Sequence, residues 1–545
     1  MENDKTQGAN QSANMYSYQD EQKYQIPQTG AIRRSLGEEN PNEFVDNQIN
    51  NMSSINNERA VGQNSIIVHV DQNPPLYWML FLIFGIFQII FIILIGCYYN
   101  KLDLANIYKI LIYYIAQNKV AEKYKIFQEI NIIIFLGFGF LRTFLKHHSW
   151  TSISITLMSG VIAFEVGLFT LICWAAIFTR NWNNGILNFQ HFLDASYCSA
   201  TIVISLGAVL GKLSIAQYLV MVFIETIFST LNYVLLRQKL KIIDVGGALT
   251  VHLFGSIFGG MFSLVSFIVK NERERIAKSP HLGSNYNSNI FALFGTLILI
   301  AYWPSFNISL IRDNEDKCRG VINTYLALLG SISGTFCFSA LTNFGKLKIS
   351  NLLNSCFCGG IIVAGCCHII DRFWVSIVLG FICGELTTFV CNSISDILKS
   401  IGYHDTSDII YYHGIPGFLG GIITSIFVGN LGKEKRDLEK GLVYKYVGTL
   451  LNNTFISDNE TINNETINIP KYAGIHFSAI FITLAIAAGG GFFSGFLIKF
   501  CNCNFAIRYF NDSEYFDVSD NEPFPWEDEP IELEVKYNSR IANSQ

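Results

Sequence analysis

Asp244 is followed after seven residues by His252 and, six residues later, by Gly259-Gly260; Asp405 is followed at the same spacing by His413 and Gly420-Gly421. Both stretches are otherwise largely apolar. An imidazole deep in an apolar helix must find a hydrogen-bond partner. A lone buried histidine is ordinarily a satisfied core residue, but recurrence at equivalent positions lets each ring be the other's partner, one N–H donating to the other ring's bare nitrogen. Two facing imidazolium ions would repel, so the pair holds at most one proton beyond neutrality. Asp244 and Asp405 stand where helices begin. There they can accept first-turn N–H bonds, and an anionic mouth also attracts cations. Glu165, in GVIAFEVGLF, is a further carboxylate in apolar surroundings. It either pairs with a neighbouring polar group, or is protonated, or handles protons. His147, His148, His368, His404 and His476 suit solvated or capping roles.

The elements that must position these residues follow from composition. Of 545 residues, 50% are hydrophobic and only 15% are charged, against roughly 25% in soluble proteins. The net charge of −5 divides into −5 for residues 1–75, +7 for 76–501 and −7 for 502–545. Two acidic, polar segments therefore flank an apolar body, and no basic excess points to nucleic acid. Residues 1–75 are rich in Asn, Gln and Ser and read as a disordered tail. The 502–545 tail keeps Tyr509, Phe510, Tyr515, Phe516, Phe524 and Trp526, which allows either a solvated segment or one docked on the protein's own soluble face.

Between the tails, apolar runs occur at 76–98, 130–146, 151–179, 195–210, 215–236, 244–269, 290–309, 321–343, 350–370, 373–398, 409–429 and 473–500. Their lengths suit membrane helices, with 130–146 and 195–210 short enough to lie inside a bundle. They do not alternate as barrel strands would, so the fold class is an all-α polytopic membrane protein. Twelve spans place both termini on one side. The sequons at Asn452, Asn459 and Asn464 suggest an outward, glycosylated 430–472 loop, and hence cytoplasmic tails. Two successive sets of five spans each end in the Asp–His motif. An odd-numbered set reverses direction in the membrane, so the pattern predicts inverted repeats with a site at their interface. Most of the 13 cysteines fall within the runs as small hydrophobes. No metal, cofactor or nucleophile–base motif is present, which argues against an enzyme.

The phrases FLGFGFLRTFL (135–145), GAVLGK (207–212), DVGGALTVHLFG (244–255), GTLILIAYWPSFN (295–307), NTYLAL (323–328) and HGIPGFLGG (413–421) resemble the Rh glycoprotein branch of the ammonium transporter superfamily. YWPSFN and HGIPG are closer to Rh than to Amt proteins. The resemblance implies a trimer with one pore per subunit, twin pore histidines at His252 and His413, and acidic helix starts at Asp244 and Asp405. It also implies stacked vestibule aromatics at Phe306 and Tyr197. Tyr197 stands where the family usually has Phe; its hydroxyl could bind ammonium or pin the gate. The 76–98 run suits the extra N-terminal helix of the Rh branch. The expected function is ammonium/ammonia transport, methylammonium being a further solute, in a plasma or vacuolar membrane. A CO2 or other neutral-gas channel and an ammonium sensor or scaffold are the alternatives.

Overall fold

In an apolar run every backbone polar group must be paired within the chain, and a helix does this locally. The structure, a computed structural model, describes residues 82, 85–94, 96, 110–180, 189–311, 313–400, 402–430, 469–500 and 509–516. Residues 1–75, the three sequons, Phe524 and Trp526 lie outside them. Among the described residues, ten helices are long and apolar enough to cross a membrane: α1 (Ala121–Phe144), α2 (Ser149–Thr179), α3 (Phe189–Val209), α4 (Ile215–Lys239), α5 (Ala248–Ser266), α6 (Tyr286–Ile308), α7 (Asn314–Thr342), α8 (Phe373–Ser400), α9 (Ile410–Asn430) and α10 (Pro470–Phe500). The chain is an integral multi-pass membrane protein. Of the 76–98 run, the described residues hold the short helix Gly85–Leu94.

The 350–370 run differs from expectation. It is broken into helix Ile349–Asn354, a 3₁₀ turn at Ser355–Phe357 and helix Cys358–Ile362, followed by turns. Asn351, Ser355, Cys356 and Phe357 are all buried. Irregular backbone is tolerated at membrane depth where protein, not lipid, surrounds it. Helix α3 lies inside the bundle, nearly all of its residues buried. The Gly255–Gly259 pair explains how α5 reaches it: a Cβ at either glycine would stand 2.7 Å from Thr201 O or 2.5 Å from Ser205 O. Only glycine permits that backbone approach.

Part of the acidic C-terminal tail docks. Phe510 N–H donates to Gly211 O (2.9 Å) and Asp512 N–H to His147 O (2.7 Å), and the Phe510 ring is buried. Tyr515 OH donates to Leu213 O (3.0 Å), while Arg275 lies over the Tyr509 ring at 5.5 Å. The Asp512 carboxylate accepts from Trp150 N (3.1 Å), Thr151 N (2.7 Å) and Thr151 Oγ1 (2.6 Å). A residue 361 positions away in sequence thus caps the first turn of α2. Losing such a cap costs about 1 kcal/mol, at most roughly 2. Asp512→Ala is therefore expected to lower the thermal midpoint modestly and to speed limited proteolysis between α10 and residue 516. Unchanged proteolysis would show that the cap does not hold the tail.

The paired histidine site

The two Asp–His motifs fold alike. Asp244 accepts from Leu249 N (3.2 Å), Thr250 N (2.9 Å) and Thr250 Oγ1 (2.8 Å). Asp405 accepts from Ile410 N (3.1 Å) and from Tyr403 OH (3.3 Å). In each motif the bonded amide is five residues beyond the carboxylate. Burial pushes both carboxyls above their ordinary range. First-turn donors oppose this at both, together with the Arg237 guanidinium at Asp244 and the Lys212 ammonium at Asp405. His476 Nε2 steadies the first turn by accepting from Ile243 N (3.1 Å). After each aspartate the chain enters a π-helical turn, Ala248–Leu253 or Ile410–Gly414. His252 and His413 sit in these turns, in the wider backbone that often marks functional sites.

The turns bring the imidazoles together. His252 Nδ1 and His413 Nδ1 are 3.3 Å apart, the rings nearly parallel with centroids at 5.4 Å. One ring must carry its proton on Nδ1 and the other must leave Nδ1 bare. Their Nε2 atoms are then inequivalent, one an acceptor and one a donor. His252 Nε2 is buried and has no partner within the chain. The fit depends on Gly417, where a Cβ would stand 2.8 Å from both Ala248 O and Leu253 N.

Aromatic rings enclose the pair. Trp303 stacks on His252 at 5.5 Å and on Phe357 at 5.2 Å. Phe357 and Phe138 lie 5.5 and 5.8 Å from His413. Beyond His252 stands Phe306, at 6.0 Å, stacked on Tyr197 with centroids 4.6 Å apart and planes 16° apart. The Tyr197 hydroxyl is held by Val245 O (2.8 Å), Phe306 O (2.6 Å) and Ser309 Oγ (2.8 Å). This geometry is that of a pinned ring, the hydroxyl being engaged with protein groups. On the other side of the pair, His413 lines a cavity of about 20 Å³ with Phe138, Arg142, Ile204, Asn354 and Ser407.

The structure thus gathers His252, His413, Tyr197 and Phe306, with the two aspartates at the starts of the histidine helices. Glu165 is not part of this set of contacts; its carboxylate accepts from Gln88 Nε2 (2.8 Å). Trp303, Phe138, Phe357 and Arg142 were not singled out from the sequence. Trp303 had a legible signal, lying three residues before Phe306 on one helix face. Phe357 had none, because it lies in the broken segment.

A bundle of membrane helices enclosing two facing buried imidazoles behind a stacked aromatic pair is the architecture of a membrane transport protein. Residues 88–508 match the Ammonium Transporter Family, and the chain belongs to that family, in its Rh branch. It is 31% identical over 420 residues to "Ammonium transporter Rh type C-like 2" of Danio rerio, covering 74% of this chain and 80% of the relative. It is 30% identical over 411 residues to "Ammonium transporter Rh type B" of Rattus norvegicus, covering 74% and 84%. The fold matches the solved structure of Nitrosomonas europaea Rh50 with a TM-score of 0.59 and 23% identity, over 78% of this chain and 97% of that one.

The close crossing at Gly417 generates a stability test. In Gly417→Ala the added methyl meets backbone on both sides, so about 1–3 kcal/mol should be lost, seen as a lower melting temperature in detergent. Gly139→Ala, whose Cβ would meet nothing within 4 Å, should stay within about 0.5 kcal/mol of the parent. Equal effects of the two would contradict the crossing.

Proposed function

We propose that this ammonium transporter passes the nitrogen as neutral ammonia, with ammonium losing its proton before it reaches the histidine pair. The observation that carries the reading is the 3.3 Å contact between the two Nδ1 atoms, beside the unpartnered Nε2 of His252 and within a sleeve of aromatic rings. Moving an intact cation into such surroundings would cost tens of kcal/mol by Born solvation, whereas a small neutral amine needs only replacement hydrogen bonds. The inequivalent Nε2 atoms offer a donor and an acceptor, and ammonia can use both. Weak contacts at successive points allow it to leave again. At the gate, the faces of Tyr197 and Phe306 suit a cation before deprotonation. The capped turns of Asp244 and Asp405 fix the two histidine helices, and the aspartates add negative potential at the two ends.

The assembly we propose is a homotrimer embedded in lipid, with the acidic tails in the cytoplasm. The alternative reading is a CO2 or other neutral-gas channel, which a gradient of either gas separates. Replacing both histidines, His252→Leu with His413→Leu, removes the polar contacts together and leaves no orphaned ring. Loss of hydrogen bonds worth about 1–3 kcal/mol should slow ammonia or methylammonium flux roughly 10- to 100-fold. Stopped-flow pH traces in proteoliposomes, alongside an unchanged size-exclusion profile, measure this. Flux and selectivity equal to the parent's would sink the histidine path.

A further inference from the structure

The small cavity beside His413 has room for one molecule the size of water or ammonia, and one of its walls is a charge. Arg142 lies in the 3₁₀ turn that closes α1 and is only 3% exposed. Its Nη1 donates to Thr156 Oγ1 (3.2 Å) and its Nη2 to Ile204 O (3.4 Å). The guanidinium carbon lies 5.9 Å from the centroid of the Phe138 ring. All three partners are neutral. Among the described residues, none of the ion pairs within 4.0 Å includes Arg142.

Two ionisable groups of α4 act on Arg142 through their fields, Tyr218 and, after it, Glu225, the carboxyl of the two. Its contacts suit a neutral acid. Ser205 Oγ lies 2.8 Å from Ile202 O and 2.6 Å from Glu225 Oε2, and a serine hydroxyl has one proton to give. A proton on Glu225 would let both contacts be hydrogen bonds. The other carboxyl oxygen, Oε1, is buried without a partner, as suits a neutral acid better than an anion. Arg142 is then a buried positive charge with no carboxylate paired to it among the described residues. A neutral donor could bridge Thr156 and Ile204 equally well, so the hydrogen bonds do not account for the charge. An ionisable group kept inside a membrane at such cost faces a functional path.

We propose that Arg142 is the charge filter of this protein, a specificity-determining residue placed beyond the histidine pair. Its fixed cation raises the energy of ammonium, alkali ions or hydronium in the adjoining cavity and leaves neutral ammonia untouched. Low dielectric around so small a chamber makes one unscreened charge effective. This inference rests on the histidine pair being the ammonia path.

The test compares full-length parent with Arg142→Gln, Arg142→Met and Arg142→Lys in proteoliposomes of neutral lipid under an ammonium gradient. Nitrogen flux is read from an entrapped pH dye and charge from solid-supported membrane currents. Arg142→Gln keeps donor groups but removes the charge. It should gain an ammonium current where the parent carries none; Arg142→Met should change in the same direction and Arg142→Lys should remain silent. Electroneutral flux in both neutral variants would overturn the filter. So would loss of the folded size-exclusion profile in Arg142→Gln alongside a folded Arg142→Lys, since the charge would then serve the fold. A current in the parent itself would instead refute the neutral-ammonia reading, and the two failures are thereby distinguished.

Discussion

The site depends on two imidazole rings meeting at their Nδ1 atoms, 3.3 Å apart, in the interior of a membrane bundle. Neither ring could be buried cheaply alone, because each would leave polar nitrogens without partners. Together they satisfy one nitrogen each and leave their Nε2 atoms for something else. That arrangement constrains much of the surrounding chain. The aspartates must fix the helix starts, the backbone must open into π turns to aim both rings, and glycine must stand at 417 so that α9 can cross the first turn of α5. Each feature taken alone is ordinary, and their shared consequence is the geometry of the pair.

The rings around the pair make a low-dielectric path with few polar contacts. At one end the Tyr197 hydroxyl lies within hydrogen-bond distance of Val245 O, Phe306 O and Ser309 Oγ, which anchors the stacked ring pair. At the other end Arg142 stands against the cavity beside His413. The docked segment 509–516 belongs to a separate system: it ties the tail to the start of α2 and to the loop containing Gly211.

Much of this was legible before any coordinates. The twice-repeated Asp–His–Gly-Gly spacing marked the two histidine helices and the pairing of their rings, because those features depend on local sequence. The broken 350–370 segment was not legible as such. Hydropathy measures whether residues are apolar, and cannot tell protein surroundings from lipid when both are apolar. Phe357 was missed for the same reason. Arg142 lay within a quoted phrase, yet its chemistry depends on what does not face it, and absence of a counter-charge is a tertiary fact. The tail's docking was one of two open readings; for residues 509–516 Asp512 settles it by finding free amides 361 residues earlier in the chain.

The ratio of charge to nitrogen moved tests the central claim most directly. Parent protein in tight proteoliposomes, under an ammonium gradient at fixed pH, can be followed at once by electrical current and by nitrogen flux. Passage of neutral ammonia along the histidine pair requires nitrogen to cross with no net charge. One elementary charge for each nitrogen transported would contradict it.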